Sequence, residues 1–474
     1  MSRLARRPIP GAEALPGGVG HATLDGQDEA RGQENRNRVI EPEGAGSLGD
    51  GVQPPAATPQ QTAQRARVRE EPLSHNRDFM LLLGGQGISA FGDALSLTAL
   101  PLLVLALTGS GIAMGIVGVL NTIPDLVFGL LAGVIADRSD RRLMILGADF
   151  GRAVLTALIP LSILMGGPTI AVILLIAAPM AMLRSMFLAA YTAAMPSLVG
   201  RPLLARATST LETVYSLSFV VGPSIAGLLA AVAGYGPTIA VDAFSFLASS
   251  LAMALIRRPL QERQARPPLD LRAEIGEGIR YIAGHPTLRL AVSFWGLSSV
   301  ITAGLIPVLT YFVTRQLQLG TAAFGILLSI NGIGYLLGAI GMNRVRVRSA
   351  GRLMLVGTAI EAIAMIAAVN GQIFILFPAA FVVGAASAGV VITYITLRSA
   401  AAPDELLGRV GSTARTLSIG LQPIGMVTAG ILLDSIGGGA TLLLMGGGLL
   451  AATAGFSLSH SLRRAMVIGG HVPR

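Results

Sequence analysis

The chain has 474 residues, of which 52% are hydrophobic and only 13% charged, a composition too apolar for a water-soluble protein of this length. It contains no cysteine, which excludes disulfides, thiolate metal sites and cysteine nucleophiles, and all 35 basic residues are arginine. The missing lysine excludes a Walker A phosphate loop and Schiff-base chemistry. The net charge of +9 falls on helix ends and short loops without interleaved aromatics, which argues against a nucleic-acid partner.

Residues 1–77 are rich in Gly, Pro, Gln, Arg and Glu and hold no apolar stretch able to form a core, so a disordered cytoplasmic tail is expected. They contain no signal-peptide apolar region, so the first membrane helix is expected to insert uncleaved. Twelve apolar runs follow, at about 79–107, 111–135, 143–165, 169–195, 205–233 and 237–256, then 288–313, 321–343, 352–369, 372–397, 405–433 and 438–460. At ~1.5 Å per helical residue such runs cross ~30 Å of hydrocarbon. The expected fold is an all-α membrane protein of twelve transmembrane helices. Six form an N-terminal bundle at 78–256 and six a C-terminal bundle at 288–464, with a cytoplasmic linker at 257–287 and a cytoplasmic tail at 465–474. In the linker, Leu271, Ile275, Ile279 and Ile282 recur at helical spacing, which reads either as an amphipathic helix on the inner membrane surface or as a solvated connector.

Spans 2 and 3 meet at Gly129–Arg142, where a short charged turn carries Arg138, Arg141 and Arg142. Arginines in short loops favour the cytoplasmic side, and the rest of the chain obeys the same parity. The loops on the opposite side hold a single arginine, Arg315, while the inner loops and the linker hold Arg138, Arg141, Arg142, Arg201, Arg257, Arg258, Arg263, Arg266, Arg272, Arg280, Arg344, Arg346, Arg348, Arg398, Arg463 and Arg464. A multi-pass plasma-membrane protein with both termini in the cytoplasm is expected. The halves also repeat. A shift of 206 lays Pro101 on Pro307, Asp125 on Asn331 and Arg138 on Arg344, and a shift of 203 lays Ala226-Gly227 on Ala429-Gly430. Two similar six-helix units in the same orientation imply a pseudo-two-fold axis along the membrane normal, with a cavity between them.

Ionisable groups inside a membrane are costly and mark pathways. Here they are Asp93, Asp125, Asp149, Arg152, Arg184, Glu212, Asp242, Glu361 and Arg415. Asp93 and Arg184 fall near the middle of spans 1 and 4. Asp149 and Arg152, three apart on one helix, are placed to neutralise each other. Glu212 and Arg415 occupy equivalent places in the repeat with opposite signs, about two turns from the inner face, and are gate candidates. Gly222-Pro223, with Gly227 a turn later, calls for a kink or a close helix contact in span 5. No cluster has metal-ligand spacing and no cofactor is indicated.

The stretch Gly133-Val-Ile-Ala-Asp137-Arg138-Ser-Asp140-Arg141-Arg142 resembles the loop 2–3 signature of the major facilitator superfamily. Its Asp140, together with Phe91-Gly92-Asp93, Gly222-Pro223-Ser-Ile-Ala-Gly227, Glu277-Gly278-Ile-Arg280-Tyr281 and Gly408-Arg409-Val410, resembles the drug-efflux branch that includes the enterobactin exporter and macrolide efflux pumps. The resemblance implies that Asp137 faces the start of span 11 at Pro403-Asp404-Glu405 and latches the cytoplasmic side shut. Arg138, Arg141 and Arg142 are then placed to pair with Asp137, Asp140 or lipid phosphates, or simply to set topology. It also implies that spans 1 and 4 line the cavity, so that Asp93 can carry a proton with Arg184 as its partner, or the two can form a structural pair. The expected activity is proton-coupled export of a small amphipathic drug, antibiotic or siderophore by a monomer, without enzymatic chemistry. An importer or uniporter of a polar metabolite, a membrane-embedded enzyme and a non-transporting sensor are the alternatives.

Overall fold

Inside hydrocarbon a backbone must satisfy its own N–H and C=O groups, and for apolar runs of this length the helix is the arrangement that does so within one segment. The computed structural model describes residues 72–260, 271–342, 344 and 349–465. The helices of the first half are α1 (Arg77–Thr108), α2 (Gly111–Arg138), α3 (Arg141–Leu164), α4 (Thr169–Val199), α5 (Leu204–Val232) and α6 (Tyr235–Ala254). After them come α7 (Leu271–Gly284), α8 (Pro286–Thr302), α9 (Leu305–Tyr311), α10 (Gly320–Met342), α11 (Ala350–Ala368), α12 (Ile373–Ala401), α13 (Leu407–Gly420), α14 (Gln422–Ser457) and the short α15 (His460–Arg463). Among the described residues there is no strand. The tail before residue 72, Arg263 and Arg266 of the linker, Asn343, Arg346, Arg348 and the residues after 465 lie outside the described residues.

Among the described residues, eleven stretches are long and apolar enough to cross a membrane. One of them, Leu407–Ser457, has 51 residues. At ~1.5 Å per residue it would reach about 75 Å, more than twice the hydrocarbon thickness. It is broken at Gly437, whose φ of 80° and ψ of 173° are not helical. Span 7 also differs from the single run expected. It is interrupted at Gly304, between α8 and α9, and continues into a π-helical turn at Phe312–Gln316. The break lies where α14 crosses: a Cβ on Gly304 would collide with that of Ala429, and one on Gly425 with the Val300 carbonyl.

The charged turn after α2 is tighter than the sequence suggested. α2 stays helical through Arg138 and α3 begins at Arg141, so only Ser139 and Asp140 lie between them. Asp140 is the N-cap of α3, accepting from the Arg142 and Leu143 N–H groups. Arg141 and Arg142 do not pair with it. Arg141 donates to the Ala193 carbonyl (2.8 Å) and the Leu260 carbonyl (3.3 Å), and Arg142 donates to the Ala254 carbonyl (2.5 Å). The Ala254 carbonyl is the last of α6, where orphan acceptors attract cations, Leu260 follows that helix, and Ala193 lies within the last two turns of α4. Around them Asp78 accepts from the Arg257 and Arg258 N–H groups (3.3 and 3.1 Å), and Asn76 donates to the Leu198 carbonyl (3.3 Å).

Within the first half, α1 packs on α5 and α6, α2 on α4, and α3 on α4 and α6. Within the second, α10 and α11 pack on α12, and α14 packs on α8, α9 and α11. The main contacts between the halves are α2 against α14 and α5 against α10, with smaller ones from α9 against α1 and α2 and from α13 against α2. Glycine makes the tightest crossings possible. Gly334 faces the Phe381 carbonyl and Gly384 the Asn331 carbonyl, so α10 and α12 meet backbone to backbone. The linker helix α7 docks on α13: Glu277 pairs with Arg409, Gly278 sits against the Arg409 carbonyl, and the Tyr281 hydroxyl donates to the Ala401 carbonyl (2.7 Å).

Gly384→Val should therefore force α10 and α12 apart. An overpacking cost of about 1–3 kcal/mol is expected, read as a lower thermal unfolding midpoint in detergent, whereas Gly447→Ala, with nothing within 4 Å of its built Cβ, should leave the midpoint unchanged.

Candidate functional site

Four ionisable side chains from three helices meet in the interior of the first half. Arg152 of α3 is 4% exposed and pairs with Asp93 of α1 at 2.7 Å and with Asp149, one turn earlier on its own helix, at 3.6 Å. Asp242 of α6, 2% exposed, completes the group and interacts electrostatically with Arg152 and Asp93. Gly92 explains how Asp242 gets so close to α1. A Cβ there would lie 2.5 Å from Asp242 Oδ1 and 2.7 Å from Ser245 Cβ, so only a bare backbone admits that carboxyl and its neighbour.

Hydroxyl donors dress the carboxyls. Ser249 donates to Asp149 (2.6 Å) and is itself held by Gln86 (3.1 Å), while Ser96 and Ser245 donate to Asp242. The guanidinium of Arg152 lies 3.9 Å from the Phe246 ring centroid and 5.9 Å from that of Phe187, so two aromatic faces share its charge. With every group ionised, three carboxylates would face one cation. Among the described residues no group of His, Asp and Glu is arranged to hold a metal ion.

The expected pair of Asp93 with Arg184 does not form. Arg184 pairs instead with Asp125 of α2 at 3.3 Å, and Ser185 donates to the same carboxyl. The reason is rotational. Asp149 and Arg152 sit on the face of α3 that is buried toward α1 and α6, whereas the Arg184 side chain is 51% exposed and its helix packs against α2. Asp93, with 29% of its side chain exposed, is more open than Arg152 or Asp149.

Beside the cluster lies a cavity of about 470 Å³ between α5 and α10 that extends into the second half. Its wall is mostly aliphatic, with Tyr215, Phe219, Tyr335 and the carboxyl of Glu212 as its distinctive groups. Among the described residues no hydrogen bond or ion pair engages Glu212. Tyr191 and Tyr215 are near enough to feel its charge, and Tyr215 also feels Asp93, Arg152 and Asp149. Tyr215 is thus within electrostatic reach of both the cavity carboxylate and the buried cluster. Leu97, one turn beyond Asp93 on α1, lines the same cavity.

Glu212 and Arg415 do not share a place: both are exposed, but Glu212 lines the cavity and Arg415 is absent from its wall. Gly222 lies against Ala94 of α1, Pro223 lines the cavity, and Gly227 abuts Thr321 and Gly325 of α10, so the span 5 motif serves close contact on both sides. At the other end of α2, Gly133 has open space around it and Arg138 is exposed. The side chains of Asp137 and Asp404 lie outside the described residues, and with them the expected contact at the start of span 11. Sequence reasoning missed Tyr215 and the joining of Asp242 to the Asp149–Arg152 pair. Gly92 beside Asp93 was the available signal for a close approach at that level.

The stacked apolar helices, a buried charge cluster in one half and a cavity running between the halves define a multi-pass membrane transporter of the major facilitator fold. Residues 69–466 match the family described as transmembrane secretion effector, and the chain belongs to that family of the major facilitator superfamily. It is 31% identical over 380 residues to the multidrug efflux pump Tap of Mycolicibacterium fortuitum, covering 77% of this chain and 91% of the relative. It is 25% identical over 389 residues to macrolide efflux protein A of Streptococcus pyogenes, covering 78% and 92%. Solved structures share the fold. The nucleoside transporter NupG matches with a TM-score of 0.67 at 13% identity over 80% of this chain and 98% of its own. A bacterial homolog of the human lysosomal transporter Spinster, in an inward-facing and occupied conformation, matches with a TM-score of 0.65 at 15% identity over 82% and 97%.

Arg152→Met would leave buried carboxyls without their cation and should cost about 3–5 kcal/mol. Arg184→Ala, at a half-exposed pair, should cost less than about 1 kcal/mol. Thermal unfolding of the two variants in detergent tests this order, and equal losses would show that the cluster is not the stronger constraint.

Proposed function

We propose that this chain is a proton-driven exporter of small amphipathic cations that works by alternating access. The observation that carries the reading is a buried cluster with more carboxyls than cations, beside an apolar cavity that carries a carboxylate of its own, Glu212. An apolar, aromatic wall with one free carboxylate suits an amphipathic cation. Three carboxyls share one arginine there, so a proton entering the cluster offsets buried negative charge, and Asp93 is more exposed than Asp149 or Arg152. A cation bound at Glu212 brings positive charge within electrostatic reach of Tyr215, so substrate and proton compete for the same excess of carboxylates. One proton moving inward supplies ~2.3 kcal/mol per 100 mV of membrane potential, enough to support an outward gradient of substrate. Efflux is also the activity printed in the names of both curated relatives.

In this reading Leu407–Ser457 makes two crossings around Gly437, giving twelve in all. Six belong to each of two bundles at 78–256 and 288–464, joined by the 257–287 linker. The matched contacts, α2 on α14 and α5 on α10, support a pseudo-two-fold relation between the bundles. The arginine-rich end and both termini face the cytoplasm of a plasma-membrane protein acting as a monomer, with Asp137, Arg138, Arg141 and Arg142 at the cytoplasmic gate and Arg184 holding Asp125 in mid-span. The chain needs no cofactor for this and performs no covalent chemistry.

The test is transport of ethidium, an amphipathic cation, in everted vesicles with an imposed pH gradient. Asp93→Asn should abolish accumulation against a gradient while leaving downhill exchange in place. Glu212→Gln should raise the half-saturating ethidium concentration about tenfold, the scale of one lost charge contact. Uphill pumping by Asp93→Asn at the wild-type rate would sink the proton assignment.

A further inference from the structure

At the arginine-poor end of the molecule, the first turn of α2 receives a carboxylate from the other half of the chain. Asp434, at the end of the first segment of α14, accepts hydrogen bonds from the Ser110 hydroxyl (2.7 Å), from the Gly111 N–H and from the Ile112 N–H (3.1 Å). The groups it takes up are the free donors and partial positive charge of a helix N-terminus, in a helix that begins with no acidic residue of its own.

Behind this contact the backbones of the two helices come close enough to touch. A Cβ on Gly111 would lie 2.8 Å from the Gly430 carbonyl, one on Gly115 2.7 Å from the Met426 carbonyl, and one on Gly430 2.7 Å from the Gly111 carbonyl. Such a crossing gains from every contact only when it is fully closed, because backbones this near have no side chains to follow them apart. Asp434 sits at its mouth.

The matching interface between α5 and α10 has the same backbone approach, with Gly227 against Gly325, but a different lock. Its polar links are neutral: Ser224 with Ser329 (2.7 Å) and the Thr321 hydroxyl to the Gly227 carbonyl (3.1 Å). The repeat that lays Ala226-Gly227 on Ala429-Gly430 lays Asp434 on Ala231, so the carboxylate has no counterpart in the first half.

We infer that Asp434 is a latch that holds the arginine-poor end shut by capping the N-terminus of α2 across the interface between the halves, and so sets the balance between closed and open states at that end. The inference rests on the two-half rocking described above and not on proton coupling. Its geometry mirrors, on the same antiparallel helix pair, the arrangement that the sequence suggests at the opposite end, where Asp137 lies in the last turn of α2 and Pro403-Asp404-Glu405 precede α13.

The absence of native cysteine makes the test direct. Val232→Cys and Phe374→Cys, exposed by 80% and 91% at the arginine-poor end of α5 and α12 and away from the latch, accept spin labels in the full-length chain. In lipid nanodiscs, double electron–electron resonance then reports the short- and long-distance populations across that end. Asp434→Ala should raise the long-to-short ratio about fivefold, the scale of a lost helix cap. Ser110→Ala should raise it less, and the double variant should equal Asp434→Ala alone, since Ser110 donates to that carboxyl. Ser435→Ala, whose hydroxyl bonds only within its own helix, should change nothing. A wild-type distribution in Asp434→Ala, or additive effects of Asp434 and Ser110, would overturn the latch. Should Asp434→Ala not fold, Ser110→Ala carries the test, and an unchanged distribution there overturns it. Loss of ethidium pumping by Asp93→Asn or its persistence does not enter this measurement, so the two readings fail separately.

Discussion

One guanidinium buried in the first half constrains much of what surrounds it. Arg152 cannot reach water from its place on α3, and in hydrocarbon an unpaired charge is prohibitive, so α1 must present Asp93 and α3 must present Asp149 at its edge. Phe246 and Phe187 close over it because an aromatic face is an apolar surface that still attracts a cation. Asp242 enters only because Gly92 leaves room. The packing of α1, α3 and α6 is thus tied to electrostatics as well as to shape, which is why a membrane interior tolerates so much charge in one place.

The same economy of space governs contacts between the halves. Lipid tails are as apolar as leucine, so helices in a bilayer gain little by hiding apolar surface and much by close packing. Gly111, Gly115 and Gly430 in one interface and Gly227 and Gly325 in the other let backbones touch. Such interfaces are well suited to opening as units, because little interdigitation must be undone. What distinguishes the two interfaces is polar: a carboxylate on a helix N-terminus in one and hydroxyl pairs in the other.

Between these rigid parts lies a cavity whose wall is almost wholly apolar. Its one carboxylate, Glu212, is two turns into α5, the helix that also supplies Tyr215, Phe219 and Pro223 to the cavity and Gly222 to the contact with α1. A single helix therefore faces the cavity on one side and, through Gly222 against Ala94, the helix that carries Asp93 on the other.

Composition and periodicity were enough to establish a multi-pass helical membrane protein, because a bilayer leaves a chain of this hydropathy few alternatives. The internal repeat located Ala226-Gly227 and Ala429-Gly430, and the structure shows why they recur: each supplies a backbone contact to the opposite half. The sequence also singled out Asp93, Arg152 and Glu212, since an ionisable residue in an apolar run is conspicuous. Partner choice was not legible. Asp93 meets Arg152 and not Arg184, and Arg141 and Arg142 donate to backbone carbonyls and not to Asp140, because pairing depends on how each helix is rotated about its axis and on which neighbours it touches. The break at Gly304 and the capping of α2 by Asp434 were hidden for the same reason. Residues more than a hundred positions apart decide them, and only the folded chain brings those residues within hydrogen-bonding distance.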